Sequence, residues 1–202
     1  PVLLFRGVAT RRFEELTDPR IVIVWGLATL AVFIAARAIA RRAMHIPREH
    51  ALWHGFGAAQ ANNGFLAIPL MPALFGEQAI APVALTMLAD MLVLYPVAFV
   101  MADLSSSRPH SGAERAATIA LMNTGKLVAC PILVAIIGLW IVPLSPLQYT
   151  VAVATAALPT GINLFLISQR YVAEVGVYSA AILSSTVISV ATLSFVVWLL
   201  GA

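Results

Sequence analysis

The sequence predicts an all-α integral membrane protein in which two of the membrane-crossing helices are broken. Three observations lead there. Of the 202 residues, 61% are hydrophobic and only 10% charged, with a mean hydropathy of +0.94, far from the composition of a water-soluble domain. Apolar runs of about 20 residues, enough to cross a hydrocarbon core roughly 30 Å thick, follow one another along the chain. Two of those runs carry Asn, Pro and Gly near their centres, where an uninterrupted helix would avoid them.

Taken in order, Pro1 to Phe5 followed by Arg6 reads as the tail of an apolar helix whose beginning is absent. The order of basic stretch, short apolar core and small-residue cleavage site that marks a signal peptide does not occur there. Asp18-Pro19 sets a capping residue and a proline at a helix start, and Ile21 to Ala40 forms the first complete span, closing on Arg41-Arg42. Pro47 opens the next segment, Ala51 to Phe75, with Asn62-Asn63-Gly64 at its middle and Pro69 shortly after, so this helix is expected to break. Ala79 to Ala102 is the third span. Ser105 to Gly112 is a polar connector rich in turn formers. Ala116 to Val142 then crosses with Lys126 and Pro131 inside it, and Ser145-Pro146 repeats the cap-plus-proline start. Leu147 to Ser168 is interrupted by Pro159-Thr160-Gly161 with Asn163 close behind, and Val175 to Leu200 completes the chain. The expectation is about six membrane segments plus the residual N-terminal helix.

The order whole, broken, whole occurs on both sides of the connector. An odd number of crossings makes the second copy enter from the opposite face, which gives an inverted repeat of the kind common among secondary transporters. Residues 1–202 are thus read as one membrane domain, with a first repeat (1–104), a cytoplasmic linker (105–115) and a second inverted repeat (116–202). Arg41, Arg42, Arg48, Arg108, Arg115 and Arg170 fall on the linker side and mark it as cytoplasmic, whereas Arg6, Arg11, Arg12 and Arg20 vote the other way, diluted by Glu14, Glu15 and Asp18. A multi-pass protein of a bacterial inner membrane is the expected setting. The net charge of +3 reports on topology and gives no support to nucleic-acid binding.

An unwound stretch within lipid survives only where protein or a water-filled cavity covers its backbone groups. A half-helix N-terminus there presents free N–H groups and about half a positive charge, which suits a carboxylate. Asn62, Asn63, Gly64 and Pro69, with Pro159, Thr160, Gly161 and Asn163, are the expected substrate-binding residues. Asn62 and Asn163 are the first choices, since an amide donates to a carboxylate while capping a break; capping alone is the plainer reading. Asp90 lies mid-span and is expected to face the interior, either carrying a coupled proton or pairing with Lys126. Lys126 could also attract the anion directly, or snorkel towards the interface.

The stretch Ala61-Asn62-Asn63-Gly64-Phe65-Leu66-Ala67-Ile68-Pro69-Leu70 and the stretch Ala157-Leu158-Pro159-Thr160-Gly161-Ile162-Asn163-Leu164-Phe165 resemble the two crossover-helix motifs of the auxin efflux carrier family, including its bacterial permeases. Lys126 to Pro131 and the Ser179 to Ser189 stretch add to the likeness. The resemblance implies a carrier of ten helices in two inverted repeats, whose crossover helices meet at their prolines while an elevator-like movement carries an organic anion. Against that pattern the chain lacks some family helices: one and part of another at the start, and two more between the repeats.

The remaining residues add no second chemistry. Cys130 is alone in an apolar run and suits packing; His45, His50, His54 and His110 are read as mostly interfacial, with a weak metal site at His50 and His54 as the alternative. Trp25, Trp53, Trp140 and Trp198 are read as interface anchors, and Ser185, Ser189 and Thr192 as a helix-packing stripe. No nucleophile and base are joined by a motif, so neither an enzyme nor a cofactor is expected. The functional expectation is a secondary transporter of small organic anions working by alternating access. Its partners are the lipid bilayer, the anion and a coupled proton or sodium ion, with a homodimer left open. The alternatives are a sodium-coupled carrier of the bile-acid type and a truncated, non-transporting membrane scaffold.

Overall fold

The computed structural model describes residues 18–102, 112–171 and 175–201. The residual N-terminal helix and most of the 105–115 linker lie outside them. Among the described residues every regular element is helical apart from one isolated β-bridge. Four helical stretches are long and apolar enough to cross a membrane: Pro19–Arg42, Glu77–Met101, Gly112–Ile141 and Val175–Leu199. The chain is accordingly a multi-pass integral membrane protein.

Helix α1 (Pro19–Arg42) starts as the sequence leads one to expect. The Asp18 carboxylate accepts from the Arg20 backbone N–H at 3.1 Å, proline occupies the first turn, and Arg41 and Arg42 complement the dipole at the far end. Asp18 also accepts from the Arg20 guanidinium at 2.6 Å and from Gln148 Nε2 at 3.1 Å, which ties α1 to a distant helix start. Helix α2 (Arg48–Ala59) runs back along α1 and is followed by the first break. The chain resumes in a wide π-type turn, Asn63–Ala67, and then α3 (Ile68–Phe75). Gly76, at φ 82°, makes the reversal that an L side chain would strain.

The next span is α4 (Ile80–Ala89), a wide turn Asp90–Leu94, and α5 (Tyr95–Ala102). After the linker come α6 (Gly112–Thr124), a wide turn Gly125–Ala129, α7 (Cys130–Ile136) and another wide turn, Ile137–Ile141. Helix α8 (Pro146–Ala156) opens with the Ser145–Gln148 capping box. The second break separates it from α9 (Asn163–Tyr171), and α10 (Val175–Leu199) follows.

The four wide turns share a cause. Each ends two residues before a proline: Pro69, Pro96, Pro131 and Pro143. A proline ring crowds the carbonyl four residues back and offers it no N–H, so the helix opens by one residue and bonds i to i+5. Asp90 and Lys126 both sit in such turns.

Close packing centres on α2. A Cβ at Gly55 would lie 2.6 Å from the Phe33 carbonyl oxygen, and one at Gly125 would lie 2.7 Å from the Ala58 Cβ. These small residues let α1 and the α6–α7 span approach α2 at backbone distance, as helix interfaces in lipid require. Trp25 and Trp53 are buried in this core and do not serve as interface anchors, because their rings are enclosed by protein, with Trp25 Nε1 bonded to Asp90 of the α4–α5 span; Trp140 and Trp198 are 74% and 72% exposed. His50 and His54 are buried too and not interfacial. His54 Nε2 lies 2.8 Å from the Thr118 hydroxyl, so the side chains that α2 turns inward bond across to α6.

Gly55→Ala should destabilise the protein by about 1–3 kcal/mol, since a backbone oxygen cannot step aside cheaply. Gly176→Ala, with open space around it, should not. Denaturation midpoints of the purified variants check this. The Arg20 guanidinium holds the Asp18 carboxyl well below the usual carboxylate range, so its contribution to stability is complete above its unfolded pKa near 4 and is lost as the pH falls below that. Asp18→Asn should therefore lower the melting temperature at pH 7, and the difference from the parent protein should begin to shrink as the pH is lowered from 4 to 3.

Candidate functional site

The α2 helix ends at Ala59 and the α8 helix at Ala156, and the two unwound segments that follow meet. Asn62 N–H donates to the Pro159 carbonyl at 3.0 Å, and Gly161 N–H donates to the Gln60 carbonyl at 3.1 Å. These reciprocal bonds form an antiparallel bridge between Ala61 and Thr160, both fully buried. Proline at 159 leaves its carbonyl available, and glycine at 161 leaves room for Gln60, whose side-chain amide would collide with a Cβ there.

The carbonyl ends of the first half-helices attract donors. The Thr160 hydroxyl donates to the Gly57 carbonyl at 3.0 Å, and Lys126 Nζ donates to the Ala156 carbonyl at 2.6 Å. Lys126, the chain's one lysine, is wholly buried. It does not snorkel, and its ammonium is bonded to the carbonyl end of α8 and not to the Asp90 carboxylate. The reason is electrostatic, since the negative end of the α8 dipole lies within reach of the ammonium.

The amide ends of the second half-helices behave differently. The N–H groups of Gly64 and Phe65, and of Ile162 and Asn163, find no acceptor among the described residues. A Cβ at Gly64 would meet nothing within 4 Å, so this amide end faces open space. Both breaks thus have occupied carbonyls beside free donors.

Asp90 stands next to the first break, 3% exposed. Its carboxylate accepts from Trp25 Nε1 and from Asn63 Nδ2, each at 2.8 Å. Asn163 Nδ2 donates to the Tyr95 hydroxyl at 2.6 Å. Gln60, Asn63, Gly64, Asp90, Tyr95 and Asn163, with Met87 and Met91, line a cavity of about 60 Å³. That volume holds a few waters or a small ion.

The structure therefore brings Asn63, Gly64, Asp90 and Asn163 of the expected residues into one cavity. Asn62, Pro159, Thr160 and Gly161 form the bridge beside it. The Asn62 side chain caps nothing, because its backbone N–H and carbonyl already join the break. Pro69 lies beyond the wide turn and Lys126 at the end of α8. Sequence reasoning missed Gln60, Tyr95 and Trp25. Gln60 and Tyr95 are polar residues inside apolar runs, a signal that could have found them; Trp25 offered none.

No group of His, Cys, Asp and Glu able to hold a metal ion exists among the described residues. No curated protein and no solved structure matches the chain. A family model does: residues 104–198 match the family described as Membrane transport protein, a family of transporters and not of enzymes. That stretch contains Lys126, the second break and the α10 helix, and the family whose model it matches is the auxin efflux carrier family that the two break motifs resemble.

Proposed function

We propose that the protein is a secondary transporter of small organic anions, and that it works by alternating access around the paired breaks of two inverted repeats, 1–104 and 116–202. One observation carries this reading. At both breaks the carbonyl ends are occupied by Lys126, Thr160 and Gly161, while the N–H groups of Gly64, Phe65, Ile162 and Asn163 are left over. Free amides at half-helix N-termini form a ready seat for a carboxylate. The amides of Asn63 and Asn163 stand in the same cavity and can turn a donor towards the guest.

The cavity's one formal charge opposes that guest. Asp90 is buried beside the break, and an ionised carboxylate next to a bound anion in low dielectric is strongly unfavourable. Neutralising Asp90 therefore favours anion entry, which links anion uptake to the gain of a positive charge at this residue. The cavity of about 60 Å³ is small for a dicarboxylate, so this arrangement corresponds to a closed state that opens by separation of the elements around it.

Binding and uptake tests follow from the geometry. Asn163→Ala and Asn63→Ala should weaken succinate or malonate binding by about 1.5–3 kcal/mol, the value of a hydrogen bond to a charged group, while folded yield changes little. Isothermal titration and size-exclusion yield measure the two quantities, and equal losses in both would make these residues structural only. Asp90→Asn, neutral at every pH, should flatten the pH dependence of anion uptake into proteoliposomes; a variant with the parent's rate and pH profile would remove Asp90 from coupling.

A further inference from the structure

Trp25 is fully buried, and the one polar atom of its indole is bonded to Asp90, 65 residues away. The two oxygens of that carboxylate are held by different kinds of partner. Trp25 Nε1 donates to Oδ1 and Asn63 Nδ2 donates to Oδ2, each at 2.8 Å. An indole is a donor only, so the atom facing it must accept. An amide carries a donor and an acceptor, so Asn63 can meet a carboxylate with its NH₂ and a carboxylic acid with its oxygen. The two partners differ in anchorage as well: Trp25 belongs to the regular helix α1 and its packed core, whereas Asn63 opens the wide turn of the first break.

A proton arriving at Asp90 tells the two bonds apart. On Oδ1 it would weaken the bond of a fully buried donor whose acceptor, among the described residues, is that oxygen. On Oδ2 it leaves the indole bond intact and needs only a turn of the Asn63 amide. The indole also favours the ionised form, because a hydrogen bond to a charged oxygen is about twice as strong as one to a neutral oxygen. Around the carboxylate, α1 and the first wide turn present these neutral donors, and the ionisable groups that act on it are Tyr95 on its own span and Lys126 and Cys130 on the α6–α7 span. Lys126 is held at the end of α8 by the Ala156 carbonyl, so a change at Trp25 leaves the charges around Asp90 in place.

We propose that Trp25 is a positioning residue for Asp90: its indole N–H pins Oδ1 as an acceptor, sets the pH at which the carboxyl is neutralised, and directs the proton to Oδ2 on the side of the first break. The meaning of this for transport rests on the carrier reading above; the indole's hold on Asp90 rests on the buried bond. Protonation at Oδ2 breaks or reverses the bond from Asn63, and so acts on the turn that also carries the free N–H groups of Gly64 and Phe65. The rigid partner stays and the partner in the break changes.

Infrared titration of the purified full chain reads the C=O stretch of protonated Asp90, identified by its absence in Asp90→Asn. Trp25→Phe removes a donor that favours the charged form, so the proton is held to higher pH and the midpoint of this band should rise by about one pH unit, a tenfold change in proton affinity. The band should also move to higher wavenumber in Trp25→Phe, because the C=O oxygen loses its donor, and stay near the parent position in Asn63→Ala. Phe33→Leu, which takes volume from the same buried face of α1 without touching a polar atom, should match the parent in both readings. If Trp25→Phe loses its monodisperse elution, the benzothiophene analogue of tryptophan at position 25, which keeps the ring shape and puts sulfur in place of N–H, carries the same expectations. An unmoved midpoint and wavenumber at position 25 would overturn the proposal, and so would an equal displacement in Phe33→Leu. Malonate uptake into proteoliposomes separates the two readings. Uptake by the parent that depends on pH, together with an unmoved Trp25→Phe spectrum, defeats the role of Trp25 and leaves the carrier standing; a displaced spectrum with no uptake by the parent at any pH does the reverse.

Discussion

Everything in this fold answers to the absence of water around the backbone. An N–H or C=O without a partner inside lipid costs several kcal/mol, so a membrane helix can be broken only if something else accepts its freed groups. Here each break supplies the other's partners. Asn62 and Gly161 donate, Pro159 and Gln60 accept, and the antiparallel bridge they make replaces helical bonds that neither segment could form alone. One break without the other would be an uncovered defect. The pair makes a small polar centre in an otherwise apolar protein.

Charge is distributed around that centre by proline. Pro96 and Pro131 each open the preceding turn, and Asp90 and Lys126 occupy the opened turns. The widened turn rotates the residues before it relative to those after it, so Asp90 reaches Asn63 and Trp25 while Lys126 reaches the end of α8. The cation closes a helix dipole and the anion stands beside a cavity. A direct Asp90–Lys126 pair would cancel both effects and leave a carbonyl end of α8 and a cavity wall without electrostatic character.

Much of this was legible beforehand, for identifiable reasons. Hydropathy located the spans to within a few residues, because crossing a bilayer imposes a length that composition cannot hide. The helix starts at Asp18-Pro19 and Ser145-Pro146 were readable because capping is local chemistry. The breaks were readable because Asn-Asn-Gly and Pro-Thr-Gly are improbable inside a membrane helix. What escaped was everything decided by orientation between elements. Trp25 looked like an interface anchor because its nearness to a span end was visible and its partner, 65 residues away, was not. Lys126 looked like a partner for Asp90 because opposite charges in neighbouring spans attract the reader, although a helix end competes for the same ammonium. Gln60 was overlooked beside the more conspicuous Asn62 and Asn63. The wide turns were hidden too, although each proline that causes one is plain in the sequence.

The central claim is that the two unwound segments meet as an antiparallel bridge within the membrane. Ala61 and Thr160 face each other as a non-hydrogen-bonded pair, a geometry with Cα atoms about 4.5 Å apart and within disulfide range. Ala61→Cys and Thr160→Cys, combined in a Cys130→Ala background and oxidised mildly in native membranes, measure this contact directly. Rapid, nearly complete intramolecular disulfide formation is expected, with little when Thr160→Cys is paired with Phe65→Cys, a side chain that is 66% exposed. Failure of the 61–160 pair to cross-link, or equal cross-linking by the 65–160 pair, would contradict the account.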